Sequence, residues 1–145
     1  MKQKIKKLDE RAIIPTYGTE YSAGADLYNM GGESVSVAPG ETVLIHTGLS
    51  IEIPEGYCGL IFARSGLATK RGLAPANKVG VVDSDYRGEW MVALHNHSDK
   101  TATVEGGERV AQMVVVPYLK AEFELTDELS ETERGAGGFG STGRK

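Results

Sequence analysis

Hydrophobic and polar residues alternate along much of this chain. In TVLIHTGLSIEI, residues 42–53, Val43, Ile45, Leu49, Ile51 and Ile53 share one parity. A period of two places them on one face of a half-buried strand. Pro39-Gly40 before this run and Pro54-Glu55-Gly56 after it are turn signals. YCGLIFA (57–63) reads as the next strand. EWMVALHNH (89–97) repeats the alternation, with Trp90, Val92 and Leu94 on one side, and RVAQMVVVP (109–117) is a longer β-branched run closed by Pro117. Short strands divided by Gly and Pro turns predict an all-β sandwich or barrel. The best helical candidate is SGLATKRG (65–72), with Ser65 expected as N-cap and Gly72 as the C-terminal glycine.

From Ala121 the pattern dissolves. AEFELTDELSETE carries six acids, and RGAGGFGSTGRK (134–145) sets five glycines around a single phenylalanine. So much glycine cannot build a core element. Residues 1–120 are therefore expected to form the β body, and 121–145 a C-terminal arm that is either a disordered end or a flexible flap.

Composition narrows the class. A chain of 145 residues is one domain's length. Twenty acids against 16 bases give a net charge of −4, which argues against a general nucleic-acid partner. The lone Cys58 excludes an intrachain disulfide. No apolar run approaches the roughly 20 residues that span a membrane. The basic start MKQKIKKLDE lacks the apolar stretch of a secretory signal, so a cytoplasmic protein with no membrane partner is expected.

Several constellations carry candidate chemistry. In GVVDSDYRGE (80–89), a strand ends where two carboxylates and a tyrosine bunch together. One reading is a hairpin with Asp and Gly as turn formers. The other sets Asp83 to take a proton from water and Tyr86 to lie against a ligand ring. ARSGLA (63–68) offers the Arg64 fork, the Ser65 hydroxyl and a helix start, which together suit an anion. An ordinary cap beside a solvent-facing Arg is the plainer account. In GGERVAQM (106–113), strand geometry puts Arg109 and Gln112 on opposite faces. Arg109 then reads as an edge-strand charge, whereas an amide inside VAQMVV needs a partner. In the tail, Phe139 stands among glycines beside Ser141 and Thr142, fit to cover a base and wrap phosphates unless the tail is simply disordered. Asp26 sits among small residues in SAGADLY and needs partners if buried. His95 and His97 have strand spacing for a metal, but no Cys or carboxylate cluster joins them.

Five segments, in order, resemble the motifs of the trimeric dUTP pyrophosphatase (dUTPase) family: AGADL (23–27), RSGLA (64–68), NKVGVVDSDYRGE (77–89), GERVAQ (107–112) and RGAGGFGSTG (134–143). The resemblance runs from about residue 12 to residue 143, and the third and fifth motifs are the most specific. His46, where a proline is common, and Trp90, at a usually smaller apolar position, are departures outside the chemistry. The resemblance implies a distorted jelly-roll-like β-barrel with one short helix, assembled as a homotrimer with shared active sites. The flexible C-terminal arm would close over a neighbour's site. It implies hydrolysis of dUTP to dUMP and diphosphate with Mg2+ on the triphosphate, which lowers dUTP and supplies dUMP for thymidylate synthesis. Asp83 is then the expected base, and Tyr86 packs under the deoxyribose. Asn77 and backbone of the 80–91 hairpin, including Val81 and Val82, read the uracil, with Met91 lining that pocket. Arg64, Ser65, Gly66 and Gln112 bind phosphates. Asp26 holds the metal's water shell or a partner subunit's Arg. Arg134, Phe139, Gly140, Ser141 and Thr142 form the lid. A same-fold dCTP deaminase and a nucleotide-sensing regulatory protein are the alternatives. DSDYRG has the pyrophosphatase form, and a purely regulatory protein should have lost Asp83 or the lid.

Overall fold

A computed structural model describes residues 1–141 of the chain. Among these residues the strands are β1 (Lys4–Lys7), β2 (Thr16–Tyr17), β3 (Ala25–Tyr28), β4 (Val35–Val37), β5 (Thr42–His46), β6 (Leu49–Glu52), β7 (Tyr57–Phe62), β8 (Leu73–Pro75), β9 (Gly80–Val82), β10 (Met91–Asn96), β11 (Ala102–Val104) and β12 (Arg109–Pro117). One short helix, α1 (Ser65–Arg71), separates β7 from β8. The protein is thus all-β with a single short helix, as its period-two pattern implies. The strands pair into four sheets rather than one closed barrel. The largest runs β2-β3-β12-β7-β9, with three-stranded β5-β10-β8 and the pairs β1-β6 and β11-β4 around it. All the pairings are antiparallel.

The alternation delivers the core. On β10, Val92 and Leu94 are buried while Met91, Ala93 and His95 are less so, and Trp90 just ahead of the strand is buried with them. They meet Leu27, Ile45, Leu49, Ile51, Leu73 and Val110 in one cluster. Gly59 on β7 makes room for the indole: a β-carbon there would lie 2.4 Å from Trp90 Cη2. The side chain that overfills its position is accommodated by one that is missing.

Two local expectations are corrected. The run 42–53 keeps its buried parity but is not one strand. It breaks at Thr47-Gly48, where Gly48 takes φ +68°, a left-handed conformation that favours glycine. A β-carbon there would also lie 2.8 Å from Met30 Sδ and 2.9 Å from Ala12 Cβ. The N-cap of α1 is Arg64 rather than Ser65. Arg64 is extended (φ −89°, ψ 129°), and its carbonyl accepts the helix's first bond, from Ala68 N–H at 3.0 Å. Ser65 is already helical. Gly72 ends the helix left-handed, as its position implies.

Candidate functional site

The stretch after β9 folds into a tight turn that fixes the first group of residues. Asp83 C=O accepts from Tyr86 N–H at 3.2 Å, and the Tyr86 hydroxyl donates to Glu89 C=O at 2.9 Å. The phenol lies so close over Gly88 that a β-carbon there would sit 2.4 Å from Tyr86 Oη. Only glycine leaves that space. Arg87 Nη1 closes the turn from outside by donating to Ser84 C=O at 2.6 Å. The result is a pocket of about 260 Å³ whose lining includes Asn77, Val81, Val82, Asp83, Tyr86 and Met91, backed by Ile61 and Trp90. Asn77, Val81, Val82, Tyr86 and Met91, expected to hold the base or the sugar, and Asp83 all fall on this one cavity, whereas Phe139, expected to cover the base, does not. The Asp83 carboxylate makes no hydrogen bond among the described residues. It also borders a second cleft with Glu52, Glu55 and Asp85. Arg87 and Lys120 line that cleft as well, so it sets four carboxylates beside two cations.

The second group gathers at the end of β7. Gln112 on β12 pairs with Phe62 on β7 and with Asp26 on β3, so one row across the sheet carries an amide and a carboxylate up to the Arg64 turn. Arg64 Nε donates to Asp26 Oδ1 at 2.8 Å, and Arg109 Nη1 donates to Asp26 Oδ2 at 3.2 Å. Asp26 is nearly buried, and both of its oxygens are met by guanidinium groups of its own chain. The amide of Gln112 finds its partner in Ala63 C=O at 2.9 Å. Gly24 is what admits it, because a β-carbon there would lie 2.4 Å from Gln112 Oε1. Asp26, Arg64 and Gln112 border a polar cleft of about 350 Å³ with Ser65, Gly66, Lys70, Arg71 and Glu108. Three cations against two carboxylates, beside a helix start, can receive an anion.

Arg109, read from sequence as an edge charge on the face opposite Gln112, instead joins the same cluster. A register shift between Arg109 and Ala111 is the reason, since a β-bulge turns the strand and re-aims a side chain. Lys70 and Arg71 were also missed. Arg71 donates to Glu108 and to Thr103 C=O, which ties the end of α1 to β11 and to the loop before β12. The histidines do something plainer. Their ring centroids are 4.4 Å apart, and His95 Nδ1 lies 2.8 Å from Thr42 Oγ1. Desolvation holds His97 below its ordinary value, helped by Lys78 and His95.

The tail stands clear of both groups. Among the described residues, no hydrogen bond joins 119–141 to the rest of the chain, and Phe139 is fully exposed. The segment is ordered on itself: Arg134 Nε donates to Gly137 C=O at 2.9 Å, and Ser141 N–H to Gly138 C=O at 3.0 Å. Arg134, Phe139, Gly140 and Ser141 border neither cleft of their own chain. The expected contribution of Thr142 lies outside the described residues.

Within one chain the two clefts share no residue. Val82 pairs with Gly59, so continuing the register sets Asp83 level with Cys58, six residues before Arg64. That is about 20 Å along the strand. Asp26, toward which Arg64 points, lies three strands from β9, roughly 14 Å across the sheet. The family model for dUTPase matches residues 10–143. The chain belongs to the dUTPase family. It is similar to the deoxyuridine 5'-triphosphate nucleotidohydrolase of Nautilia profundicola, at 52% identity over 99% of this chain and 100% of the relative. The Acinetobacter baylyi protein of the same name is 48% identical, with both chains covered in full. Among solved structures, the dUTPase of Staphylococcus bacteriophage 80alpha with dUPNHPP matches with a TM-score of 0.89 at 30% identity, over 98% of each chain. A dUTPase of phage phi11 of S. aureus, described with a structural Mg(II) ion, matches with a TM-score of 0.81 at 25% identity, over 90% of this chain and 100% of that one.

This dUTPase offers no resident metal site among the described residues. No group of three His, Cys, Asp or Glu side chains converges, and Asp26 is already committed to Arg64 and Arg109. The donor set suits a cation carried in on a phosphate ligand, not one caged by protein.

Proposed function

We propose that this chain hydrolyses dUTP to dUMP and diphosphate as a homotrimer whose sites are completed by neighbouring copies. The observation that carries this is the division of the chemistry on one chain. The base pocket with Asp83 and the cationic cleft with Arg64 are each well formed, yet they lie too far apart to serve one nucleotide. A symmetric trimer lets the pocket of one copy face the cleft of the next, and the trimeric family of which the chain is a member supports that arrangement.

In this reading Asn77 and the backbone of Val81 and Val82 recognise uracil, and Met91 lines its pocket. Tyr86 packs under the deoxyribose, where a 2′-hydroxyl has no room. Arg64, Ser65, Gly66 and Gln112 hold the phosphates. Asp83 takes a proton from a water whose oxygen bonds to the α-phosphorus. The bridging P–O bond to the β-phosphate breaks, and diphosphate departs. Mg2+ belongs to the substrate, on the triphosphate, where it offsets charge. Asp26 fixes Arg64, and the lone pairs that its two guanidinium bonds leave over accept from the metal's water shell. Such phosphoryl transfers depend mainly on positioning and charge neutralisation. Residues 1–120 form the catalytic body. The arm, 121–145, brings Arg134, Phe139, Gly140, Ser141 and Thr142 over a neighbour's site, with Phe139 on the base, and excludes bulk water. The enzyme works in the cytoplasm, where it lowers dUTP and supplies dUMP for thymidylate synthesis.

The deciding experiment is diphosphate release from dUTP, dTTP, dCTP and UTP in parallel, with and without Mg2+. Release from dUTP alone, dependent on the metal, is expected. Tight dUTP binding without release, or ammonia from dCTP, would overturn the reading.

A further inference from the structure

The base-pocket turn is held from behind by the corner between β5 and β6. Five bonds cross that seam. Ser50 Oγ donates to Arg87 C=O at 2.8 Å, Trp90 N–H to Leu49 C=O at 2.8 Å, and Thr47 Oγ1 to Trp90 C=O at 2.5 Å. The other two converge on one side chain. Glu89 Oε1 accepts from Gly48 N–H at 2.8 Å, and Glu89 Oε2 accepts from His46 Nδ1 at 2.9 Å. The carboxylate spans the break between β5 and β6, whose left-handed Gly48 presents its N–H to it. Glu89 also supplies the carbonyl that receives the Tyr86 hydroxyl. It is therefore the residue through which the corner and the aromatic ring are joined.

We propose that Glu89, braced by His46 and Gly48, is a positioning residue that sets how closely Tyr86 abuts the sugar, and so sets discrimination between deoxyribose and ribose triphosphates. The physical argument is one of stiffness. A ring excludes a hydroxyl only if it cannot retreat by an ångström or so. Tyr86 is 41% exposed, so packing alone does not hold it. Its restraints are its close seat over Gly88 and the bond to Glu89 C=O. That carbonyl is fixed in turn by the two bonds of its own carboxylate. The charge-assisted bonds to Gly48 and His46 are stronger than neutral ones and leave the carboxylate one orientation. His46 on β5 stands opposite Met91 on β10 in the strand register, and Met91 is another residue of the base pocket, so the brace reaches the pocket from two sides.

The inference rests on the proposed hydrolysis of dUTP, and the test separates the two. Steady-state kcat and KM are measured for dUTP and UTP with the wild type, Glu89→Ala, Glu89→Gln and His46→Ala, with trimer mass and thermal melting as folding controls. Glu89→Ala is expected to lower the ratio of kcat/KM for dUTP over UTP by about tenfold, the worth of a lost charged hydrogen bond or two. The loss should come mainly from improved use of UTP and a raised KM for dUTP. Glu89→Gln keeps an acceptor for Gly48 N–H and a donor for His46, so it should restore the ratio to within about twofold of wild type. His46→Ala, at an exposed side chain, should lower it by about threefold. A folded Glu89→Ala protein with an unchanged ratio overturns the proposal. If Glu89→Ala does not fold, an unchanged ratio in His46→Ala overturns it. A wild type that fails to hydrolyse dUTP overturns the functional reading first and this inference with it.

Discussion

Asp83 is the residue on which the proposed chemistry turns, and its surroundings make the consequence of removing it specific. Its carboxylate has no partner among the described residues, while the turn around it is closed by Tyr86, Arg87 and Glu89 through backbone groups. Asp83→Asn therefore keeps the pocket's shape and removes only the proton acceptor. Turnover of dUTP is expected to fall by about 10²- to 10⁴-fold, the usual contribution of a general base. The dissociation constant for dUTP, measured by calorimetry, should stay near wild type. Loss of binding together with turnover would mean that Asp83 holds the turn rather than the water. At this scale the sequence was readable in placement: Asp83 and Tyr86 line one pocket, and Arg64 lines a polar cleft. It was not readable where function passes through an absent side chain. Gly24 makes space for the Gln112 amide and Gly59 for Trp90, contacts between residues far apart in sequence that no local pattern encodes. Arg109 was hidden for a related reason. A strict period of two puts it on the wrong face, and the bulge that corrects this is a property of the pairing with β3.

Elements were legible in kind and less so in extent. Period two identified β12 to the residue and β7 and β10 to within two residues, because each is bounded by glycine, proline or a change of polarity. The run 42–53 was misjudged as continuous because its buried parity survives the break. Thr47 is buried like Ile45 and Leu49 of the same parity, and nothing in the alternation marks Gly48 as left-handed. That break yields a prediction. Gly48→Ala places a β-carbon against Met30 and Ala12 in a conformation that L-residues avoid. The two effects together should cost about 2–4 kcal/mol, read as a lowered urea midpoint with an unchanged slope. A neutral outcome would mean that the corner relaxes freely, and with it the seam beneath the base pocket. A second element, the turn after β1, makes a prediction about pH. Side-chain hydrogen bonds from Arg11, then the Arg11 backbone N–H, hold the Asp9 carboxyl down from 3.8 to about 2. A lowered value means that the folded form prefers the charged carboxylate. Its contribution to stability is complete above about 3.8 and disappears as pH falls through about 2. An NMR titration of Asp9 should find that midpoint, and Arg11→Ala should return it toward the ordinary value.

The whole molecule is where a single chain is least informative and a quantitative test is most decisive. The arm is expected to be dispensable for folding and needed for rate, since no hydrogen bond among the described residues joins 119–141 to the body. Truncation after Glu133 should leave a trimer of wild-type melting temperature with little activity. The sharing of sites between copies can be tested by arithmetic. Asp83→Asn and Arg64→Gln are each expected to be inactive alone, one lacking the base and the other a phosphate ligand. Equal amounts are unfolded together and refolded, so that copies assort at random. If each site takes Asp83 from one copy and Arg64 from the next, it is intact when the first is the Arg64 variant and the second the Asp83 variant. That is one half times one half, so about a quarter of wild-type activity should return. If both residues of a site came from the same copy, every site would lack one of them and the mixture would stay inactive. The separation within the chain, about 20 Å along the sheet and roughly 14 Å across it, leaves the first outcome as the expected one. Simple mixing without unfolding should restore nothing, because subunits then keep their partners. Recovery that needs refolding and levels off near a quarter is therefore the signature of a site built between copies.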